Sequence, residues 1–325
     1  MKPTFFLSAL LLGLVATAPP AHAQNDFPAK PITMVVPFPP GGPTDAMARA
    51  IANEAKATLD QPVIIENRPG AGGNLGADFV ARAPADGYTL MFGTSGPLAI
   101  NVSLYKKLNY DPLRSFAPII NIGYLPNVLI VNSSVPAKDV RELIAYDKAN
   151  ATKLTYASSG NGASSHLAGV MFNGVAGTSF QHVPYKGTGP ALNDLLGGHV
   201  SMAFTDVLTA LPFIKTGKLR VLGVTTATPS RALPGVPTIA EQGVKGFDVS
   251  VFFGIVAPAD TPPKVVAKLN HAFAVALQKP ELAKMLAEQG LEMAISTDPE
   301  NLRAFMKNEI TKWQTVVKNS GAQLD

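Results

Sequence analysis

The 325-residue sequence contains no cysteine. This absence excludes disulfide bonds and thiol nucleophiles, and it excludes the acylated cysteine that anchors a lipoprotein at its cleavage site. Stability must therefore come from the burial of apolar side chains. Roughly 300 residues can form one large core or two smaller ones, so we expect one or two domains.

The sequence also lacks any block of like charges. It carries 27 lysine and arginine residues against 23 aspartate and glutamate residues, and the net charge of +4 is spread along the chain. A small, dispersed excess of positive charge favours a surface that attracts anions mildly, and it argues against a nucleic-acid interface. We therefore predict no nucleic-acid partner.

Long apolar runs are absent after the first residues. The run at residues 5–18 follows a basic start at Lys2 and precedes small residues at positions 21–23. This pattern is typical of a secretory signal peptide over residues 1–23, with cleavage after Ala23. A membrane anchor is disfavoured because the run is short and two prolines follow it. We expect a soluble exported protein, located in the periplasm if the source is a Gram-negative bacterium.

The rest of the sequence alternates β-rich runs with helical patterns, which is typical of parallel α/β units. Strands this apolar on both faces fit a sheet covered by helices on both sides, with ligands bound in the loops at the carboxyl ends of the strands. The predicted strands are 32–38, 63–67, 88–93, 117–123, 128–132, 154–158, 200–205, 218–226 and 249–258. The first predicted helix follows the first strand and ends at Leu59, and the next ones span 75–82 and 137–149. Another starts at 163, and one begins after Thr261 as N-cap with Pro262 as its first helical residue. The last two span 272–278 and the segment around Trp313.

The first loop with a binding signature is PFPPGGPTD at residues 37–45, between the first strand and the first helix. Pro43 fits the first helical position, with Gly42 or Thr44 as the cap. The N–H groups at such a helix start lack partners within the helix, and the helix dipole favours an anion there. Asp45 is expected to brace the loop by accepting N–H bonds. The candidates for ligand binding are Phe38, Pro40, Gly41, Gly42, Thr44 and Asp45, and the alternative is a stiff capped turn that binds nothing.

The richest polar segment is SSGNGASSH at residues 158–166, which again joins a strand to a helix. Serine hydroxyls and glycine N–H groups at a helix start suit a second oxyanion site. The candidates are Ser159, Gly160, Ser164 and His166, and His166 fits a packing role equally well.

Other predicted strand ends offer further donors. The YKGTGP segment at residues 185–190 places glycine before proline at a helix start, where Thr188 can donate to a ligand. Lys186 in this segment either pairs with a carboxylate or is simply exposed. The candidates at these strand ends are Thr94, Ser95, Tyr185, Gly187, Thr188, Thr205 and Asp206.

Signatures of nucleotide, metal and nucleophile chemistry are missing. The GAGGNLG segment at residues 70–76 has Leu75 where a dinucleotide site needs its third glycine, and no phosphate-binding G-K-[ST] loop occurs. The spacing of His166, His182 and His199 does not match a metal site, and neither H-E-x-x-H nor the G-x-S-x-G elbow is present. We predict no catalytic residue, no metal and no other cofactor.

A set of ordered motifs resembles one known family, the Bug or TctC-type extracytoplasmic solute-binding proteins, which are receptors of tripartite tricarboxylate transporters. The motifs cover essentially the whole mature chain. They are KPITMVVPFPPGGPTDAMAR, VIIENRPGAGGNLGADFVARAPADGYTL, LYKKLNYDPLRSFAPI, GNGASSHLAG, HVPYKGTGPALNDLLGGHV, KLRVLGVTT, LPGVPTIAEQG and KWQTVVKNSG.

The resemblance implies an α/β fold like that of type II periplasmic binding proteins, with two Rossmann-like α/β domains and a ligand cleft between them. Domain 1 would comprise residues 24–125 plus 250–325, and domain 2 residues 126–249. The resemblance further implies that two loops, the counterparts of residues 38–45 and 158–166, grip a carboxylate partly through ordered water. Relatives carry tryptophan where this chain has Phe252 or Phe253, and a small residue where it has Pro40, which bears on ligand size and shape.

The function we expect is that of a monomeric periplasmic receptor, not an enzyme. It would bind a small organic carboxylate (a di- or tricarboxylate, an amino acid or an aromatic acid) and deliver it to the membrane permease subunits of the transporter. One alternative is a carboxylate-sensing module for a two-component signalling partner. The other is a secreted hydrolase that uses Ser159 or Ser165 with His166 or His182, which would need an orienting acid and an oxyanion hole nearby.

Overall fold

The computed structural model describes residues 27–150, 154–320 and 322–324. The predicted signal peptide and its cleavage site lie outside these residues. Strands and helices alternate through most of the described chain, so the fold is mixed α/β, as the sequence predicts. No helix among the described residues is both long and apolar enough to cross a membrane.

The strands and helices have the following bounds. The strands are β1 (Ile32–Val36), β2 (Val63–Asn67), β3 (Thr89–Thr94), β4 (Phe116–Val131), β5 (Thr155–Ser158), β6 (Gln181–Pro184), β7 (Met202–Asp206), β8 (Arg220–Val224), β9 (Ser250–Pro258) and β10 (Glu292–Met293). The helices are α1 (Pro43–Leu59), α2 (Asn74–Ala81), α3 (Asn101–Leu104), α4 (Val140–Ala149), α5 (Ser164–Ala176), α6 (Thr188–Leu196), α7 (Val207–Lys215), α8 (Pro263–Leu277), α9 (Pro280–Glu288) and α10 (Pro299–Ser320).

Helix α1 shows how the local sequence sets these bounds. Gly42 is its N-cap with an extended backbone, and Pro43 takes the first helical position, where the missing N–H costs nothing. At the other end, Asp60 adopts a left-handed conformation with φ 54° and donates its N–H to Lys56 O. The structure thus selects Gly42 over Thr44 as the cap.

A ten-stranded sheet organises the fold, with the main strand order β2-β1-β3-β9-β4-β7-β5-β6. The triplets β2-β1-β3 and β7-β5-β6 at its two ends are each parallel. The long strands β9 and β4 pair antiparallel with each other and join the two triplets. β4 changes partner along its length, because Pro126 still pairs with β9 whereas Asn127 already pairs with β7.

Strand β4 corrects the prediction of two separate strands at 117–123 and 128–132. The strand instead continues through residues 124–127, which the prediction left out of both strands. Its register against β9 shifts between Pro118 and Ile120 and again between Asn121 and Gly123, where Gly123 has φ 138°. Bulges therefore absorb the residues that would otherwise break the pairing.

Other boundaries also differ from the prediction. Strand β6 and helix α9 were not predicted, and the predicted helix at 272–278 is part of α8. Helix α8 begins at Pro263 rather than Pro262, and the Thr261 hydroxyl donates to Pro258 O instead of capping the helix. Helix α4 begins later than predicted because Asp139 caps it by accepting the N–H of Glu142.

Helices cover both faces of the sheet. One core contains buried residues of α1, α6, α7, α8 and α9, and the other contains buried residues of α2, α4, α5 and α10. Neighbouring residues of one strand are buried in different cores: Met34 of β1 belongs to the first core and Val35 to the second. This arrangement explains why the strand segments are apolar without alternation, and it leaves the loops at the strand ends for binding.

Candidate functional site

The loops at the carboxyl ends of strands from both triplets surround one cleft of about 770 Å³. This volume falls in the range typical of small-molecule sites. The cleft is lined by 13 of the 17 predicted site residues, namely Phe38, Pro40, Gly41, Gly42, Thr44, Thr94, Ser95, Ser159, Gly160, Ser164, Gly187, Thr188 and Asp206. The other four, Asp45, His166, Tyr185 and Thr205, are not part of the lining and support it in ways described below.

The first loop, residues 37–45, presents backbone to the cleft. Gly41 has φ 82°, and a Cβ atom added at this position would meet no atom within 4 Å, so the space next to its Cα is open. Thr44 and Asp45 lie in the first turn of α1, where N–H groups have no acceptor inside the helix. These groups and the Thr44 hydroxyl can receive an anion.

Asp45 lies beneath this loop and braces it. Its carboxylate accepts the Gly41 N–H at 3.0 Å, Arg49 Nε at 3.0 Å and Asn67 Nδ2 at 2.9 Å. Asn67 also donates to Phe38 O at 3.1 Å, which ties β2 to the loop. The hydrogen bond from Arg49, followed by those from Gly41 and Asn67, outweighs burial and lowers the pKa of Asp45 to about 2. Asp45 therefore stays ionised and fixes the loop, in the bracing role that its sequence position predicts.

The second loop, residues 158–166, is held from inside by its own polar groups. Ser159 N donates to Ser165 Oγ at 3.1 Å, and the hydroxyls of the two serines lie 3.0 Å apart. Gly160 and Gly162 have φ 134° and 79°, conformations that glycine adopts without strain. Helix α5 starts here, and its N-cap Ala163 makes no side-chain cap hydrogen bond to the first N–H groups of the helix.

His166 supports the second loop from below. Its Nδ1 accepts the Gly162 N–H at 3.1 Å, which places its own proton on Nε2. Its ring stacks on His182 with centroids 4.0 Å apart, and His182 Nε2 lies 2.7 Å from Ser158 Oγ. Burial lowers the pKa of His166 to about 4, and burial together with the neighbouring His166 lowers that of His182 to about 4. Both rings are therefore neutral packing groups near neutral pH.

The third loop, residues 185–188, adds a helix start from the same triplet. Gly187 has φ 110°, caps α6 and donates its N–H to Ser159 O at 3.1 Å, which links this loop to the second one. Lys186 lines the cleft. The Tyr185 hydroxyl instead donates to Asp194 at 2.7 Å, and burial followed by this bond raises its pKa to about 12.

Asp206 lines the cleft at the end of β7 and caps α7. Its Oδ1 accepts both the N–H and the hydroxyl of Thr209, at 2.8 and 2.7 Å. Burial raises its pKa above the ordinary value. Two buried oxygen atoms nearby, Thr205 Oγ1 and Asn127 Oδ1, have no hydrogen-bond partner in the part of the chain that the structure describes. Such atoms are the usual contacts of bound water or of a ligand.

Several lining residues are not among the 17 predicted site residues, although Lys186 and Phe253 were noted in the sequence. They are Pro39, Pro43, Gly72, Gly96, Asn101, Leu104, Tyr105, Leu125, Asn161, Gly162, Ala163, Lys186, Val251 and Phe253. Among them, Leu104 lies in α3, Leu125 in β4, and Val251 and Phe253 in β9, where no loop motif marks them. Asn101 carries a weak signal as a buried polar residue, and it donates to Gly72 O at 3.1 Å. Of the two aromatic positions noted in the sequence, Phe253 lines the cleft, whereas Phe252 packs on Phe305.

The cleft offers donors for an anion beside an apolar wall. The serines proposed for a hydrolase, Ser159 and Ser165, bond each other, and the serine that contacts His182 is Ser158, which is 1% exposed. Among the described residues, no group of three or more histidine, aspartate or glutamate side chains could hold a metal ion. This chemistry suits reversible binding of a carboxylate with an apolar body.

Comparison with known proteins gives consistent matches. A family model described as the tripartite tricarboxylate transporter family receptor, TctC, matches residues 47–322. BugT of Bordetella pertussis is 38% identical over 316 residues, which cover 97% of this chain and 96% of BugT. The structure of the periplasmic binding protein BugD is 38% identical with a TM-score of 0.81, covering 91% of this chain and 99% of BugD. An R. palustris protein solved with adipate is 38% identical with a TM-score of 0.83, covering 92% of this chain and all of that one.

Proposed function

Because this chain belongs to the TctC family of tripartite tricarboxylate transporter receptors, we propose that it captures a small organic carboxylate in the periplasm and delivers it to the membrane permease subunits of such a transporter. Members of this family are solute-binding proteins of the periplasm, and the chain is not an enzyme. Residues 1–23 are proposed to direct export, with cleavage after Ala23.

One observation carries the proposal. Two glycine-rich helix starts, residues 37–45 and 158–166, come from the two opposite triplets of the sheet and line the same cleft. Each presents N–H groups and hydroxyls that can hold one carboxylate from two sides. The R. palustris relative was solved with adipate, a carboxylate that a cleft of about 770 Å³ accommodates.

The ligand would lie with its proximal carboxylate between these loops. Thr44, Ser159 and Thr188 supply hydroxyls around this position, and the helix starts behind them supply N–H groups. The unpartnered oxygens of Thr205 and Asn127 support an ordered water beneath the carboxylate, because water can donate to both. The body of the ligand would lie against Phe38, Leu125 and Phe253, and the distal end would reach Lys186 or Asp206.

Two domains would close on this ligand. We assign residues 24–125 and 250–325 to domain 1 and residues 126–249 to domain 2. The change of partner along β4 supports the first boundary, since pairing passes from β9 to β7 between Pro126 and Asn127. A carboxylate that contacts loops of both domains binds the closed state better and shifts the equilibrium toward closure.

A thermal-shift screen of residues 24–325 tests the proposal. The panel contains mono-, di- and tricarboxylates and aromatic acids, each with its uncharged amide as the matched control. A ligand at about 100 times its dissociation constant stabilises by about 2.7 kcal/mol, which raises the midpoint by several degrees. A shift with one acid and not with its amide is expected. A folded protein that responds to no acid and releases none on denaturation contradicts carboxylate binding.

Delivery to a permease and the monomeric state need separate measurements. Uptake of the identified acid into proteoliposomes that hold the permease subunits should require this receptor, and sedimentation should give a monomer. Uptake that proceeds equally without the receptor would refute delivery.

A further inference from the structure

Residues 322–324, which we call the strap, pair with the chain that follows helix α3. Leu324 N donates to Leu104 O at 2.8 Å, and Lys106 N donates to Leu324 O at 3.0 Å. Tyr105 and Leu324 thereby form a short parallel bridge. Leu104 and Tyr105 both line the cleft, so the strap is fastened directly to its wall.

The strap also contacts the second binding loop. A Cβ atom added at Gly162 would lie 2.2 Å from Leu104 Cδ2 and 3.3 Å from Leu324 Cδ1. The two leucine side chains therefore pack against the backbone of Gly162, which is buried and has φ 79°. Gly162 lies in the middle of the loop that joins β5 to α5, with Asn161 and Ala163 beside it in the cleft lining.

Helix α10, which precedes the strap, extends this connection. It packs against α3, which follows the first parallel triplet, and against α5, which belongs to the second. Tyr105 packs against Gly72, another residue of the cleft lining: a Cβ atom added at Gly72 would lie 2.8 Å from the Tyr105 hydroxyl. The segment that the strap fastens thus contacts both sides of the cleft.

The amides of Ser159 and Gly162 donate their hydrogen bonds to side chains at the start of helix α5. Gly162 N donates to His166 Nδ1 and Ser159 N to Ser165 Oγ, and both acceptors belong to α5. Leu104 at the end of α3 and Leu324 of the strap pack against the backbone of Gly162. Removing one of them would take away packing against Gly162 and make it easier for the loop to open and break these hydrogen bonds.

We propose that the strap positions the second loop for ligand capture, with Leu324 as the positioning residue that holds Leu104 against Gly162. The importance of this loop for binding rests on the proposed function above, whereas the mechanical coupling does not. Leu324 is not itself part of the cleft lining, and it contacts that lining at Leu104, Tyr105 and Gly162.

Hydrogen exchange without ligand tests the mechanical coupling. The probes are the amides of Ser159, Gly162 and Ala163, which donate hydrogen bonds within the second loop. Leu324→Ala should speed their exchange about tenfold and leave the exchange of the β4 amides unchanged, because only local opening becomes easier. The exposed neighbour Gln323→Ala is the matched control and should exchange like the unmodified protein. Leu324→Met should restore slow exchange. Equal rates in Leu324→Ala and the control, or no rescue by methionine, would overturn the proposal.

Calorimetric titration with adipate then tests the link to binding. Leu324→Ala should bind adipate about tenfold more weakly than Gln323→Ala, mainly through faster dissociation. Equal affinities would refute the role in capture. Adipate that fails to bind even the unmodified protein would count against the proposed ligand class, and the ligand-free exchange rates would still decide the coupling.

Discussion

Replacing Asp45 by asparagine removes the negative charge beneath the first loop and keeps the shape of the side chain. The carboxylate accepts hydrogen bonds from Gly41, Arg49 and Asn67. An asparagine side chain accepts hydrogen bonds only at its one amide oxygen. Its NH₂ group would therefore point at one of these three donors, and that donor would have lost its acceptor. We expect this substitution to destabilise the protein in a way that depends on pH.

The magnitude follows from the pKa of Asp45, which the hydrogen bond from Arg49 lowers from 3.8 to about 2. At about 1.36 kcal/mol for each pH unit, this lowering stabilises the folded state by at most about 2.4 kcal/mol. Arg49 is 50% exposed, so water screens the pair and we expect about 1–2 kcal/mol. Because the folded pKa is the lower one, the contribution is complete above pH 3.8 and is lost as the pH falls toward 2.

Urea unfolding of the unmodified protein and of Asp45→Asn measures this difference. Trp313, which is fully buried and donates to Glu309, reports global unfolding by fluorescence. The free-energy difference should be the same at about pH 7 and about pH 5 and should shrink at about pH 3. Asp260→Asn, at an exposed position, is the control and should change little. A difference for Asp45→Asn that is equally large at pH 3 and pH 7 would refute the role of the charge.

Further predictions concern Gly41 in the same loop, Thr188 in the third loop and His182 beneath the second. Gly41→Val should abolish carboxylate binding while unfolding stays cooperative, because φ 82° strains any β-branched residue; unaltered affinity by calorimetry would count against this loop. Thr188→Ala should weaken binding by about 1–2 kcal/mol if its hydroxyl donates to the ligand, and equal affinity would reduce Thr188 to a helix-start residue. His182→Gln should make stability less sensitive to acid between pH 6.5 and about 4, since burial lowers the folded pKa of His182 to about 4 and the unfolded chain binds the proton first; unfolding curves with the same pH dependence as the unmodified protein would contradict this.

The sequence predicted the loops of the site better than its walls. Residues such as Gly41 and Ser159 lie in short glycine- and serine-rich segments after β runs, and such segments have a physical reason to bind anions. Leu125, Val251 and Phe253 line the cleft from the long strands β4 and β9. Their apolar side chains look like any core residue in the sequence, because only the crossing of these strands places them in the cleft.

The sequence also missed connections that depend on long-range pairing. The first of the two predicted strands ended at Gly123, yet pairing with β9 carries β4 on through Tyr124 to Pro126, with a register shift just before Gly123. The sequence left His166 open as a ligand contact or a packing residue; its Nδ1 accepts the Gly162 N–H and its ring stacks on His182. No local pattern reveals that stacking partner, which comes from β6, a strand that was not predicted at all. The domain boundaries and the individual ligand contacts remain predictions.

The position of β9 in the sheet has a consequence for how the molecule is made. Strand β3, which ends at Thr94, lies between β1 and β9, and β9 begins only at Ser250. On its other side β9 pairs with β4. The sheet therefore stays open at its centre until most of the chain has been synthesised, and closing so long a loop is slow. A nascent chain that cannot complete its core early remains unfolded for longer, and the export that we propose for this chain would need such an unfolded state during passage through the membrane.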